Sequence, residues 1–175
     1  MTELAGPVAI AAVLLAAGGV AKAWRPGDTA RALRMVGIRV PPGAVRAGAV
    51  AEVVVGLGAL FVPGPVFPAL VALSYLAFAV FVLQALRTGA PISSCGCFGK
   101  VDTPPSRVHV VLDGLFAAVA AVVAVAGTDV SMPTILPDQP LAGMPFVMLV
   151  AIGTGLVFVA FTSLPRTLAA ARESS

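Results

Sequence analysis

Long uncharged apolar runs separated by short polar segments dominate this chain. The first run covers residues 4–21, and a second, much longer one covers residues 47–86 with few polar interruptions. A membrane-spanning helix needs about 20 residues, so the second run is too long for one span. A Pro-Gly-Pro sequence at residues 63–65 divides it. This punctuation predicts a helical hairpin, with helices over roughly residues 43–62 and 67–86.

Two further apolar runs, over residues 108–126 and 143–164, predict a fourth and a fifth span. The polar connection at residues 25–45 carries apolar positions at helical spacing with arginines between them, which predicts a short helix at the membrane interface. The expected fold is therefore all-α: a polytopic membrane helix bundle of about five transmembrane helices. Residues 1–175 are expected to form a single integral membrane domain.

The composition excludes a water-soluble fold. Hydrophobic residues make up 59% of the chain, mean hydropathy is +1.02 and only 11% of the residues are charged. Soluble domains carry about 25% charged residues. The net charge is +3, but the basic residues are dispersed between apolar runs, where they indicate topology and lipid contacts rather than nucleic-acid binding. The lipid bilayer is the expected partner.

The basic residues all flank the same set of connections. Under the five-span assignment, six lie at the first long connection, three at the second and two after the last span. The other face has Glu3, Asp129 and Asp138 and no basic residue. The positive-inside tendency then predicts a multi-pass cell-membrane protein with its N-terminus outside. Its C-terminus and both long connections are predicted to be cytoplasmic.

The second connection carries both cysteines of the chain. Cys95 and Cys97 are separated by one glycine, and Lys100 lies three residues beyond Cys97. A nearby cation favours the thiolate, which is the species that attacks disulfides and binds soft metals. A disulfide between residues two apart closes a small, strained ring, and strained disulfides are more easily reduced. The pair therefore suits thiol–disulfide exchange, with Lys100 in support.

Two other functions fit the same residues. Paired thiolates suit Cu(I), so Cys95 and Cys97 are also candidate ligands of a soft-metal binder or carrier, although no His- or Met-rich path accompanies them. A structural membrane subunit without chemistry of its own is the third alternative. No other metal site and no cofactor motif is evident in the sequence. Whether the protein is an enzyme, namely a thiol–disulfide oxidoreductase, stays open at this point.

Three ionisable residues inside the predicted spans approach the face that carries the cysteines. Glu52 lies in the second span, and His109 and Asp113 lie in the first turns of the fourth. Ionisable groups in spanning helices are costly and usually face the bundle interior. Glu52 and Asp113 are candidate proton carriers, and Asp113 shares a helix face with His109, whose imidazole it would orient as a base. The alternative to a role in proton transfer is a structural one. In that case Glu52 or Asp113 forms an ion pair with Arg46 or Arg107, and water solvates His109 near the interface.

Small and polar residues in the spans predict contacts between helices. The glycines expected at close contacts are Gly48, Gly56, Gly58, Gly153 and Gly155. The residues expected to form hydrogen bonds between helices are Ser74, Tyr75, Gln84 and Thr154.

The sequence Cys-Gly-Cys-Phe-Gly at residues 95–99, after a third span, resembles the signature of the methylamine-utilisation MauE family. Lys22 before a polar connection and Glu52 in the second span add to the resemblance, which covers residues 5–126. The family is grouped with DoxX-like membrane proteins. The resemblance implies a four-helix DoxX-like core, to which residues 143–164 add a C-terminal span.

The resemblance also implies a function. The family is associated with maturation of a disulfide-rich periplasmic dehydrogenase subunit alongside a thioredoxin-like partner, so Cys95 and Cys97 would be the redox pair. The implied partners are a thioredoxin-like protein or an exported disulfide-containing protein. Nothing in the sequence shows a methylamine pathway, and service to another substrate fits equally well.

The implied role and the predicted orientation conflict, because cytosolic thiols are normally kept reduced. Either the cysteine segment receives reducing equivalents in the cytoplasm, or the topology is inverted. A single dithiol relays electrons across the bilayer only with alternating access, a quinone or a partner protein. The sequence leaves these alternatives open.

Overall fold

A computed structural model describes residues 2–89 and 105–164, and this part of the chain is helical. Its α-helices are, in chain order, α1 (Ala5–Trp24), α2 (Pro26–Met35), α3 (Pro42–Phe61), α4 (Val66–Thr88), α5 (Arg107–Ala126), α6 (Met132–Ile135) and α7 (Met144–Thr162). All but the short α2 and α6 are long and apolar enough to cross a membrane, which gives five spans. The predicted all-α bundle with five spans is confirmed, and so is the short helix in the first connection.

Proline and glycine set several helix boundaries. Pro26 and Pro42 occupy the first positions of α2 and α3, where the missing N–H of proline costs no helical hydrogen bond. Gly89 and Gly127 follow α4 and α5 in the left-handed conformation, with φ of 58° and 64°, which glycine adopts without a Cβ clash. Between α3 and α4 the chain turns at residues 62–65, which confirms the predicted hairpin.

Glycines allow α1 and α3 to pack closely, and this is the most extensive helix pair of the bundle. A methyl group on Gly56 would lie 2.5 Å from the carbonyl oxygen of Ala12, and one on Gly19 would lie 2.7 Å from that of Ala49. Both distances are far below van der Waals contact, so only glycine fits while the helices stay this close.

The predictions for the other glycines hold in part. Gly56, Gly58 and Gly153 lie at close contacts, but an added methyl group on Gly48 or Gly155 would meet nothing within 4 Å. The predictions for Gly48 and Gly155 are wrong. In an apolar helix the sequence alone does not show which face of the helix packs against a neighbour.

Tyr75 fixes α4 against α1, as predicted, because its hydroxyl donates a 2.8 Å hydrogen bond to the carbonyl oxygen of Ala11. Ser74 was expected to bond between helices but instead donates to a carbonyl one turn earlier in its own helix. The hydroxyl oxygen of Thr154 is buried and has no hydrogen-bond partner within the described ranges.

The two ends of the bundle differ in charge. Every lysine and arginine of the described part lies at one end of the bundle, which we call the basic end. Three spans end there, namely α1, α4 and α7, and two spans begin there, namely α3 and α5. The alignment of the helices follows from their contacts. Arg46 of α3 donates to the carbonyl oxygen of Ala23 in α1 at 3.2 Å. Ala32 of α2 and Val36, which follows α2, pack against Ala85 of α4.

At the opposite end, Asp129 joins two loops. Its carboxylate accepts hydrogen bonds from the N–H of Ser131 at 3.0 Å and the hydroxyl of Thr134 at 2.7 Å, and from the backbone N–H of Gly64. Partial burial acts to raise the pKa of Asp129, but these hydrogen bonds outweigh it and hold the pKa below its ordinary value. The carboxylate therefore ties the turn between α3 and α4 to the connection between α5 and α6.

The last span, α7, lies at the edge of the bundle. Only 11% of its apolar stretch is buried, compared with 56% for α1. Its contacts are with α1, where Gly153 meets the side chain of Ile10, and through Phe161 with the interior near the basic end. The outward-facing apolar surface of α7 is suited to lipid.

Candidate functional site

A buried ion pair between Lys22 and Glu52 lies near the basic end. Lys22 is in the last turn of α1 and Glu52 is in the first half of α3, and the antiparallel packing of these helices brings Nζ to 2.5 Å from Oε2. Only 7% of the lysine side chain and 18% of the glutamate side chain are exposed. Solvent and salt screen such a pair much less than a surface pair.

An aromatic ring covers a second side of the Lys22 ammonium group. Its Nζ lies 4.2 Å from the centroid of the Phe78 ring, within the range of cation–π attraction. Phe78 in turn contacts Tyr75 edge to face, with ring centroids 5.9 Å apart. The ammonium group is therefore held between a carboxylate of α3 and an aromatic ring of α4.

Asp113 approaches Lys22 from α5. Asp113 is 3% exposed, and both side chains line a void of about 20 Å³ together with Tyr75, Phe78 and Phe161. A void of this size holds about one water molecule when polar groups line it. The arrangement therefore leaves room for a single bridging molecule between the α5 carboxyl group and the α1 ammonium group.

His109 is buried at the start of α5, with 2% of its surface exposed. The Oγ atom of Ser106 lies 2.9 Å from its Nδ1 atom, and the ring centroid lies 5.4 Å from that of Phe161. The expectation that water solvates His109 near the interface is wrong, because α7 brings Phe161 against the ring. Ser106, which the sequence pattern did not single out, is a hydrogen-bond partner that orients the imidazole.

The structure also corrects the expected partner of Glu52. Glu52 pairs with Lys22 rather than with Arg46, whose Nε donates to the carbonyl oxygen of Ala23. By sequence, Lys22 counts among the topology signals, yet one observation could have singled it out. It is the single charged residue within the apolar helix α1, and it lies inside the last turn rather than beyond it.

The sequence-predicted residues Cys95, Cys97 and Lys100 lie outside the described residues. The helices on either side are described: α4 ends at Thr88 and α5 begins at Arg107, and both of these helix ends lie at the basic end. Within residues 2–89 and 105–164, no group of three or more His, Cys, Asp and Glu side chains is arranged to bind a metal ion.

Four ionisable side chains thus converge at the basic end, and we call them the buried ionisable cluster: Lys22, Glu52, His109 and Asp113. They come from three helices, α1, α3 and α5. An amine, two carboxyl groups and an imidazole can each take up or release a proton, and their burial restricts exchange with bulk water. The arrangement is chemically suited to holding and passing protons.

Residues 3–126 match the family described as "Methylamine utilisation protein MauE". This stretch is well over half of the 175-residue chain, and it contains every member of the buried ionisable cluster.

The chain belongs to the MauE family.

The resemblance noted in the sequence is thereby confirmed. Membership of the MauE family and five apolar spans identify a multi-pass membrane protein. Of the helices in this MauE-family protein, α6 and α7 lie outside the matched stretch, although Phe161 of α7 contacts His109. No curated protein and no solved structure matches the chain.

Proposed function

We propose that this MauE-family protein is a membrane thiol–disulfide redox protein, or maturation factor, with Cys95 and Cys97 as its reacting pair. One observation carries the proposal: the buried ionisable cluster, which includes Glu52 and Asp113, lies at the end of the bundle where the cysteine-bearing connection leaves α4 and returns to α5. Thiol–disulfide exchange requires thiols to lose and regain protons. A group of proton-exchanging side chains at this end supports such chemistry.

The burial of the cluster is the first argument for a proton-handling role. Ionisable side chains inside a membrane are expensive, and those that persist commonly mark ion or proton pathways. A single ion pair would suffice for packing, yet Asp113 also lines a void with Lys22, and His109 is buried four residues before it on α5.

Chain length gives the second argument. Six residues lead from Gly89 to Cys95 and eight lead from Cys97 to Pro105. Both cysteines are therefore close in sequence to helix ends that lie at the basic end.

In the proposed exchange, the thiolate of Cys95 or Cys97 attacks one sulfur of a partner's disulfide. The partner's S–S bond breaks, a mixed disulfide forms, and the partner's second sulfur leaves as a thiolate. The other cysteine then attacks the mixed disulfide, so that the partner gains two electrons and two protons while Cys95 and Cys97 become joined. The reverse sequence oxidises the partner. Lys100 favours the thiolate, and Glu52 and Asp113 exchange protons.

The proposed partner is a thioredoxin-like protein or an exported disulfide-containing protein. If the cysteine pair lies on the cytoplasmic side, electrons pass between it and an exported protein only with alternating access, a quinone or a partner protein. The family description names methylamine utilisation. A component of that metabolism and another exported protein fit the exchange chemistry equally, so the partner has to be identified by capture.

Single Cys→Ser variants should capture the partner. When the resolving cysteine is removed, the attacking cysteine stays joined to its partner. We therefore expect either Cys95→Ser or Cys97→Ser to accumulate a mixed disulfide in cells, seen as a larger band on a non-reducing gel and identified by mass spectrometry.

The matched control is the Cys95→Ser, Cys97→Ser double variant, which should give no such band. Two thiols that stay unmodified under every redox condition in cells would contradict the proposal. Stoichiometric copper in the purified protein that is lost in the double variant would favour the soft-metal function instead, and full activity of the double variant would indicate a structural subunit.

The orientation forms part of the proposal. The gathering of basic residues at one end favours placing that end in the cytoplasm, by the positive-inside tendency. A membrane-impermeant thiol reagent should therefore leave Cys95 and Cys97 unlabelled in intact cells and label them in inverted vesicles. Because the chain has two cysteines in total, the signal reports on this connection alone. Labelling in intact cells would place the basic end outside.

A further inference from the structure

A second, larger cavity borders the Lys22–Glu52 pair. It measures about 320 Å³ and lies between α2, α3 and α4. Within the described part of the chain, Lys22 and Glu52 are the charged residues of its lining. Three exposed small residues form its mouth, Ala44 and Gly48 on α3 and Ala77 on α4. The mouth therefore opens sideways between two membrane spans.

The lining selects against an anionic lipid headgroup. The lysine and glutamate charges offset each other, and no arginine of the described residues lines the cavity. Phosphate groups are usually bound by several cations or by the planar fork of arginine. The exposed arginines of α2 and of the start of α3, such as Arg31 and Arg46, lie outside the cavity.

The lining instead matches a flat, uncharged ring with polar oxygens. Phe78 and Phe81 provide aromatic surface, and aliphatic side chains cover most of the rest. A lysine ammonium has three N–H donors, whereas a carboxylate is an acceptor. The pair can therefore hydrogen-bond to a carbonyl oxygen and also to a hydroxyl group. The volume lies at the lower end of the range for small-molecule pockets.

We propose that this cavity binds the head group of a membrane-dissolved quinone. The Lys22 ammonium group donates to a quinone carbonyl, the ring lies against Phe78 and Phe81, and the apolar tail leaves between α3 and α4 into the bilayer. The cavity and the void beside Asp113 share Lys22 and Phe78 in their linings. Protons taken up or released at the ring thus have a route toward α5.

The electron-transfer role of this site rests on the proposed function. Oxidation of the Cys95–Cys97 dithiol to a disulfide releases two electrons and two protons. Reduction of one quinone to a quinol takes up two electrons and two protons, so the two half-reactions balance. The quinone is then the oxidant that regenerates the Cys95–Cys97 disulfide after an exchange in which the pair has oxidised its partner.

The binding test uses the full chain with both cysteines replaced by serine, because free thiols react covalently with quinones. The probe is a short-chain benzoquinone that carries a photoreactive azide, added to protein in detergent. We expect saturable labelling of peptides from α1, α3 or α4, and loss of labelling when unmodified decyl-benzoquinone is in excess.

Gly48→Phe is the decisive variant. An added side chain at Gly48 meets open space, so phenylalanine can fill the mouth without displacing a helix. It should weaken labelling by about tenfold or more, given that a filled pocket removes most ligand contacts. Gly155→Phe is the matched control, since Gly155 also faces open space but lies on α7, and it should label like the parent. Ala44→Phe at the same mouth is a second blocking variant if Gly48→Phe elutes as aggregate.

Unchanged labelling of both blocking variants would overturn the proposal. So would labelling of the same peptides by a photoreactive phosphatidylglycerol that the benzoquinone does not displace, because the cavity would then be a lipid site. If mixed disulfides are trapped but the quinone does not bind, this inference fails and the exchange function stands. If the quinone binds and the thiols never exchange, the binding site stands and the electron-transfer role fails.

Discussion

Replacing Lys22 by methionine should lower the free energy of unfolding by about 3–5 kcal/mol, because the substitution leaves the Glu52 carboxylate buried without its partner. The side chains of this pair are 7% and 18% exposed, so water cannot replace the lost interaction well. Thermal unfolding in detergent, followed by the loss of monodisperse protein in size-exclusion chromatography, would measure the effect. A variant as stable as the parent would contradict the buried pair.

Two controls separate the pair from a general effect of removing charge. The double variant Lys22→Met, Glu52→Leu removes both charges, so most of the lost stability should return. Arg31→Met breaks the exposed pair with Asp28, whose side chains are 77% and 41% exposed, and should cost less than about 1 kcal/mol. If the pair also handles protons, the double variant regains stability without regaining exchange activity.

Gly56→Ala should destabilise the bundle by about 1–3 kcal/mol, the range typical of overpacked cores. The new methyl group would lie 2.5 Å from the backbone oxygen of Ala12 and 2.9 Å from the backbone nitrogen of Ala16. Backbone atoms of a helix cannot rotate away, so α1 and α3 must separate. The same unfolding assay in detergent would measure the change.

Gly48→Ala is the matched control for this prediction, because it lies on the same helix and its new methyl group meets nothing within 4 Å. Alanine favours a helix over glycine by about 1 kcal/mol, so this variant should be neutral or slightly more stable than the parent. The two substitutions are chemically identical, but only Gly56→Ala should destabilise the protein. Equal effects would mean that α1 and α3 do not pack as described.

The spans could be predicted because apolar length alone determines them in a membrane protein. The break at residues 63–65 predicted the boundary between α3 and α4, and the final apolar run predicted the span α7. The packing faces were less predictable. Gly48 and Gly56 are eight residues apart on one helix, and of the two only Gly56 packs against a neighbouring helix. This difference could not be predicted, because composition and hydropathy do not show how a helix is rotated about its axis.

The site was predictable to a similar extent. Glu52 and Asp113 could be selected because charge inside an apolar run is costly and conspicuous. Lys22 was grouped with the other basic residues because it lies close to a helix end, where a lysine side chain can usually reach the interface. Phe78 and Phe161 could not be selected at all, since aromatic residues are ordinary in an apolar span. Their contacts with Lys22 and His109 depend on how three helices meet.

The last span, α7, covers two buried ionisable side chains although it lies outside the family match. Phe161 contacts His109 and forms one wall of the void beside Asp113, yet the family match ends at residue 126. The insulation of this imidazole and this carboxyl group from surrounding hydrocarbon is thus supplied by a helix outside the matched stretch.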